Sequence, residues 1–455
     1  MRSSIFQALT VAAFVVAAPL AQAETLTDAL IAAYRNSNLL DQQAATLRAA
    51  DEDVAQAVAT LRPVIAYTLS SGYQRSQATG SGPFADGVRT TFELSASMML
   101  LDFGRRDLGI ELRKQTVLAT REALRRVEQE VLFNAVSAYV GVQIAQQLVS
   151  LRQSNVRLVM QELQAAQDRF DVGEITRTDV SIAEARLAAS RASLSSAEGD
   201  LMVAREVYKA AIGNYPGALR PLPPTPRLPA SMTQAQSVAM KSNPSIAEAQ
   251  YGVSVAELAV EVAKANFLPT LSGRATLSRD DRAIDTQTFG LALNQEIYSG
   301  GAKASSLRQA IARRDSVRSQ LSQASVAVAE AVGQAWARLD VAQAQVLASD
   351  GQIRAAQTAF EGVREEASLG ARTTLDVLNA EQELLDARVT RLRAETQRYL
   401  GVYAVLQAMG LLTVEHLGLG IPTFDPAQYY NAVKSAPSHS AQGKKLDKIM
   451  EKLGR

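Results

Sequence analysis

Proline is absent from two very long stretches of this chain, and that absence limits its fold more than any other feature. None occurs between Pro83 and Pro216, and none between Pro269 and Pro422. Both stretches are rich in Ala, Gln, Leu, Arg and Glu, so they read as helices far longer than a globular core requires. The first should run from about Arg105 to Phe170, which at 1.5 Å per residue is roughly 100 Å. Its interior carries apolar residues every seven positions: Ala135, Val142, Val149, Val156, Leu163 and Phe170. A companion row at Ala138, Ala145, Val159 and Ala166 is interrupted by Arg152. The second long stretch has the same seam at Val332, Leu339, Val346, Ile353 and Phe360, with Ala335, Ala342, Ala356 and Val363 beside it. A sustained seven-residue period packs helices side by side as in a coiled coil. Aromatic residues make up only 5% of the chain, which suits thin helical walls better than one thick core.

The two stretches belong to a duplication. Thr27-Asp28-Ala29-Leu30, Arg35-Asn36-Ser37-Asn38 and Leu61-Arg62-Pro63 have counterparts about 206 residues later in Thr233-Gln234-Ala235-Gln236, Lys241-Ser242-Asn243-Pro244 and Phe267-Leu268-Pro269. Further on the offset becomes about 197: Phe170 to Gly173 and Thr178-Asp179-Val180 match Ala367 to Gly370 and Leu375-Asp376-Val377, and Tyr139 matches Trp336. Each half therefore reads as a short helix, a medium helix, two strands, a very long helix, a tight turn and a long return helix.

The predicted strands are the informative part. Ile65, Tyr67, Leu69, Ser71 and Tyr73 alternate with Ala66, Thr68, Ser70, Gly72 and Gln74. Thr90, Phe92, Leu94, Ala96, Met98 and Leu100 alternate with Thr91, Glu93, Ser95 and Ser97. The second half repeats the pattern more faintly, with Leu271, Ala275 and Leu277 against Ser272, Arg274, Thr276 and Ser278, then Phe289, Leu291, Leu293 and Ile297 against Gly290, Ala292 and Glu296. Strands of about ten residues, apolar on one side and polar on the other, are the pattern of a membrane β-barrel wall. Four such strands cannot close a barrel, and an open edge in lipid leaves backbone groups unsatisfied, so the pattern requires several copies of the chain. Tyr67, Tyr73, Phe84 and Phe92 suit either an interfacial aromatic girdle or ordinary strand packing. Tyr139 and Trp336 read as packing between helices.

Other features define the compartment and exclude chemistry. Met1-Arg2, the mostly apolar run Ile5–Leu20 and Ala21-Gln22-Ala23 form a secretory signal peptide, with the mature chain starting near Glu24. No later stretch approaches a membrane-spanning helix. The net charge of +1 and the lack of a basic stripe argue against nucleic acid. The cluster Lys444, Lys445, Lys448 and Lys452 falls in a tail expected to be solvated. With no cysteine, thiolate chemistry, disulfides and a lipid-modified N-terminus are excluded. The only histidines, His416 and His439, lie near the C-terminus. No nucleophile–base pair, metal cluster or cofactor motif is apparent, so catalysis, cofactors and metals are not expected.

From Glu24 to about Val433 the sequence resembles the TolC family of outer-membrane efflux and secretion proteins. The two turn motifs and the helix-to-strand junctions at Pro63 and Pro269 carry the likeness, with Phe424-Asp425-Pro426 and Tyr429, Tyr430 and Asn431 as a C-terminal equatorial piece. The resemblance implies a mainly α protein with a membrane β-barrel portion. It forms a homotrimer whose twelve-stranded barrel in outer-membrane lipid continues into a twelve-helix tunnel projecting into the periplasm. The chain divides into a signal peptide (1–23), a first repeat (24–230), with strands about 64–75 and 88–101 and a helical hairpin about 105–213, and a second repeat (231–412), with strands about 270–279 and 286–298 and a hairpin about 302–410. An equatorial segment (413–433) and a tail expected to be disordered (434–455) follow. Without a G-x4-G-K phosphate loop, transport energy would come from an inner-membrane transporter of the ABC or proton-driven kind, reached through a periplasmic adaptor protein. Cargo is open among secreted protein, drug and metal; the C-terminal piece favours type I secretion.

The family closes its tunnel near the helical tips. By motif, Asp376 is the inward acid, Arg372 the locking arginine and Asp179 its aspartate partner. Three copies of Asp376 would form an acidic ring that attracts multivalent cations. Asn379 stands where the family's type member has a second aspartate, and Ala367 where it has a tyrosine, so a weaker closed state and weaker cation block are implied. The residues alone leave a second role open. Thr176-Arg177-Thr178-Asp179 and Thr373-Thr374-Leu375-Asp376 both read as helix N-terminal capping boxes. Gly173 and Gly370 suit the sharp turns, and the resemblance implies adaptor contact at these tips, with Thr178 and Thr374 among the contact residues. Two rival functions remain: a periplasmic adaptor, which normally has one hairpin with lipoyl-like flanks, and a purely structural exported coiled coil, which predicts no pore.

Overall fold

The computed structural model describes residues 23–77, 84–281, 283–434 and 448. The expected signal peptide up to residue 22 and most of the tail, His439 included, lie outside the described residues, as does the side chain of Phe84. In the first half, α1 (Leu26–Asn36) and α2 (Asn38–Ala59) lead into β1 (Val64–Gln77) and β2 (Phe84–Leu101), then α3 (Arg105–Asp171) and α4 (Arg177–Ile212). The second half repeats the order with α5 (Met232–Ser242), α6 (Pro244–Ala265), β3 (Thr270–Asp280), β4 (Asp285–Asn294), α7 (Ala302–Ser368) and α8 (Thr374–Ala408), and α9 (Pro426–Val433) closes the series. The two long helices, α3 and α7, are both 67 residues. Among the described residues, no helix is long and apolar enough to cross a membrane.

The four strands form one antiparallel sheet in the order β1-β2-β3-β4. Its register separates two chemistries. Ile65, Ala96, Ala275 and Phe289 lie in one rung, and Tyr67, Leu94 and Leu277 in another on the same face, where β4 contributes Gln287. Tyr67 stacks on Phe92, with ring centroids 6.5 Å apart. The opposite face carries Ala66, Ser95, Thr276 and Thr288, then Thr68, Glu93, Ser278 and Thr286. The apolar face is uncovered: Tyr67 is 76% exposed and Phe289 77%.

Two details differ from the sequence pattern. The register shifts between Met99 and Leu101, so Leu101 rather than Leu100 lies opposite Leu271. The bulge falls where β2 bends towards α3 through Phe103 and Gly104, both at positive φ. The fourth strand, expected to reach residue 298, ends at Asn294. Asn294 pairs with Thr270, the first residue of β3 after Pro269, so residues beyond it have no ladder partner.

The chain divides into two compact units, each drawing on both repeats. One, whose described part begins at Ala23, comprises Met1–Asn36, Asn134–Thr225 and Val346–Thr396. The predicted seam is its core, with Val142 fully buried and Val159, Ala166 and Ala183 packed together. Tyr139 is also fully buried against Tyr208, and its hydroxyl donates to the carbonyls of Glu24 (3.0 Å) and Arg220 (2.7 Å). The predicted helix-packing residue thus also ties down the chain near Glu24.

The other unit comprises Ser37–Phe133, Pro226–Gln345 and Gln397–Arg455 and contains the sheet. Val332 and Leu339 meet Ala235, Ile246, Val405 and Met409 in its core, with Trp336 packed alongside. The C-terminal α9 starts at an Asp425 cap and Pro426 and lies on α2. There the Tyr429 hydroxyl donates to Glu52 at 2.6 Å, and the Arg121 guanidinium sits 5.5 Å from the Tyr430 ring centre.

The duplicated motif at residues 36–37 and 242–243 has a local explanation. Ser37 caps α2 and Asn243 caps α6. The same junctions hold the ends of the return helices: Asn36 donates to the Ile212 carbonyl of α4, and Ser242 and Asn243 donate to the Met409 and Ala408 carbonyls at the end of α8. Side chains thereby satisfy carbonyls that a helix end leaves without partners.

Candidate functional site at the hairpin tips

The two tips have the same backbone construction. At the first, Gly173 has φ 80°, its N–H donates to the Phe170 carbonyl and that of Glu174 to Arg169. At the second, Gly370 has φ 78°, with Gly370 donating to Ala367 and Ala371 to Glu366. The paired bonds and left-handed glycine are a Schellman stop, which ends one helix and turns the chain into the next.

Reciprocal caps start the return helices. The Asp179 carboxylate accepts from the Thr176 backbone N–H (2.9 Å) and hydroxyl (2.7 Å), while the Asp179 N–H donates back to the Thr176 hydroxyl oxygen. Asp376 and Thr373 repeat the arrangement at 3.0 and 2.8 Å. Donation from the Thr176 hydroxyl and backbone holds the Asp179 carboxyl below its ordinary value, and donation from the Thr373 backbone and hydroxyl does the same for Asp376. Both acids are therefore ionised at neutral pH and able to present negative charge, while their caps are formed.

The other predicted site residues divide between the tips. Arg372 donates through Nε to Glu366 at 2.8 Å. Among the described residues no hydrogen bond or ion pair joins it to Asp179 within one chain. Asn379 accepts from Arg186 of α4 at 2.8 Å, a link between the two hairpins. Thr178 is exposed and Thr374 is 8% exposed. Ala367 is buried with Phe360, Val377 and Leu384. The apolar side chains at the turns protrude, Val172 at 72% and Leu369 at 78% exposure.

Several partners are not evident from motif matching. Glu366 and Arg186 look like ordinary solvated charges on helix faces. Arg364 pairs with Glu162 between α7 and α3 at 3.4 Å. Glu381 and Asn155 form a buried contact between α8 and α3. A signal for Glu381 does exist: it occupies one position of the stripe Val377, Leu378, Leu384, Leu385, where an apolar residue would be the rule.

Among the described residues no group of His, Cys, Asp and Glu could hold a metal ion. The arrangement presents a sheet with one apolar and one polar face, the pattern of a membrane β-barrel wall, and two hairpin tips that carry ionised carboxylates.

Comparison with known proteins gives the same result. The family described as outer membrane efflux protein matches residues 29–214 and 236–411, one match for each repeat. The chain is 35% identical over 422 residues to the outer membrane efflux protein BepC of Brucella suis biovar 1, covering 91% of each chain. It is 26% identical over 373 residues to the alkaline protease secretion protein AprF of Pseudomonas aeruginosa, covering 77% of this chain and 76% of that one. Its fold matches the Campylobacter jejuni CmeC outer membrane channel at TM-score 0.77 and 15% identity, over 90% of this chain and 89% of that chain. With both repeats matched and a relative this similar along nearly its whole length, the chain belongs to the outer membrane efflux protein family.

Proposed function

We propose that this protein is the outer-membrane exit duct of a tripartite export system, a passive channel subunit that closes its barrel and tunnel as a homotrimer. The observation that carries this reading is the sheet. It presents an uncovered apolar face and a polar face, and among the described residues β1 and β4 each have one unpaired edge. In lipid those edges have to be paired, and copies of the same sheet supply the partners. The polar face then lines a water-filled lumen. Three copies give twelve strands, as the family resemblance implies.

The helical tips act as the periplasmic gate and the docking point. Three copies of Asp376 place negative charge around the constriction, with Asp179, Arg372 and Asn379 beside it. Val172 and Leu369, protruding next to Gly173 and Gly370, offer apolar contacts to a periplasmic adaptor, which couples the duct to an inner-membrane ABC or proton-driven transporter. Residues 1–23 direct export. The cargo follows the transporter: likeness to an efflux protein and to a protease secretion protein supports both small toxic compounds and type I secretion substrates.

The test is single-channel conductance of the purified oligomer in planar bilayers, wild type beside Asp376→Ala, with a trivalent cation added on the tunnel side. Discrete openings, blocked by the cation and blocked at least about tenfold less strongly in the variant, are expected for an acidic constriction. Equal block in both proteins would leave the channel but restrict Asp376 to capping. A lack of openings from oligomeric protein, even with Arg372→Ser, would overturn the channel reading.

A further inference from the structure

Two turns into α8 from its tip, Glu381 is 5% exposed at the contact between the hairpins. Its Oε1 accepts from Asn155 Nδ2 of α3 at 2.6 Å, Asn155 is 9% exposed, and Oε2 has no hydrogen-bond partner among the described residues. Leu158 of α3, Phe360 of α7 and Leu384 of α8 line the cavity of about 200 Å³ beside the pair.

The charged groups facing Glu381 are Glu162 on α3, Arg186 on α4, Arg364 on α7 and Arg388 on α8 itself. Each cation has another anchor. Arg364 pairs with Glu162, Arg186 donates to Asn379, and Arg388 donates to Gln357 at 2.8 Å. Among the described residues Glu381 therefore has one donor and no direct counter-ion, a costly position for a carboxylate. As a carboxylic acid in the same place it carries no charge.

We propose that Glu381, buried beside Asn155, forms a proton-controlled latch between the two hairpins, held while its carboxyl is protonated and weakened when it ionises. Burial is the main cause that pushes the carboxyl up to about 7, against the lowering effects of Asn155, Arg186 and Arg364. Because this value lies above the ordinary 4.5, the contribution of the buried carboxyl is complete below about pH 4.5 and is lost as pH rises through about 7. The effect on opening rests on reading the tips as the gate. The protonation of the contact does not.

Two measurements on the full assembled protein test the latch. The first is opening frequency in planar bilayers from about pH 5.5 to 8.5. Wild type should open at least about tenfold more often at the alkaline end, Glu381→Gln should show no such rise, and Asn155→Leu, which removes the Asn155 donor, should shift the midpoint upward. The second is the Tm of the detergent-solubilised oligomer over the same range, where wild type should lose stability relative to Glu381→Gln as pH rises. An identical pH profile in wild type and Glu381→Gln overturns the latch and leaves the channel intact. If no protein opens at any pH, the channel reading falls and Tm alone decides: a wild-type-to-variant difference that changes with pH supports the protonated contact, and a constant one overturns it.

Discussion

The two repeats agree where the backbone has no alternative and differ where side chains serve different neighbours. Gly173 and Gly370 hold the same left-handed turn, and Thr176–Asp179 and Thr373–Asp376 make the same reciprocal cap. The ion pair beside each turn has opposite polarity. In the first tip Arg169 precedes the turn and bonds Glu174 beyond it; in the second Glu366 precedes it and bonds Arg372. A pair that crosses the turn is retained while its sign is reversed, so bracing the turn does not depend on which side carries the cation. The sheet shows the same division. The first repeat contributes strands of 14 and 18 residues and the second of 11 and 10, yet both keep apolar residues on one face.

The strongest challenge to this equivalence lies at the ends of the return helices. An alanine Cβ at Gly410 would come within 2.6 Å of Asn243 Cα and 2.7 Å of the Ser242 carbonyl oxygen, in a backbone with φ 80°. At Gly213 it would meet only the Asn36 side chain, 2.7 Å from Nδ2. Gly410→Ala should therefore cost about 4 kcal/mol, and Gly213→Ala about 2 kcal/mol as Asn36 swings away from Ile212. Urea unfolding of the assembled protein measures both, and equal losses would show that the two junctions are interchangeable.

At the tips nothing lies within 4 Å of a Cβ built on Gly173 or Gly370. Alanine there should cost only the left-handed conformation, about 1–2 kcal/mol at either position, with asparagine milder. A clear asymmetry between the two would mean that one tip bears strain the other does not. Thr176→Ala and Thr373→Ala should each remove about 1 kcal/mol of helix capping. Because both aspartates are held below 3.8, the cap's contribution is complete above that pH and is lost as pH falls through the lowered value, and the alanine variants, which keep only the backbone donor, should show a smaller acid-side loss in a pH series of Tm. The smallest effect is expected from Arg169→Gln and Glu366→Gln. These exposed pairs should contribute about 0.5 kcal/mol or less, and less still at high salt.

Much of this architecture is legible in the sequence because it follows from simple periods. Alternation in Ile65–Tyr73 and Thr90–Met98 identifies the strands and their faces, and the seven-residue rows identify which helix faces pack. Turns are readable because glycine at 173 and 370 and threonine three residues before an aspartate are local signals. The bulge at Met99–Leu101 is not legible, since it arises from the hand-off between β2 and α3 and not from residue type. The end of β4 is set by where β3 begins, a property of the partner strand. Contacts between hairpins, Arg186 with Asn379 and Asn155 with Glu381, join residues 193 and 226 positions apart. Of these four residues only Glu381 is marked in a single sequence, by its place in an apolar stripe. The compact units combine segments of both repeats, whereas the internal homology divides the chain in sequence order.

If the proposed trimer closes the barrel through the edges of β1 and β4 that have no partner among the described residues, a genetic consequence follows. A wall assembled from identical panels is only as sound as its least competent panel, so a copy that oligomerises but cannot complete its share of the ring will spoil the others. With wild-type and such defective copies made in equal amounts and mixed at random, about one three-copy assembly in eight would contain wild-type chains only. A variant altered at the strand edges yet able to associate should therefore act dominantly over a normal copy in the same cell, whereas one that fails to associate should be recessive.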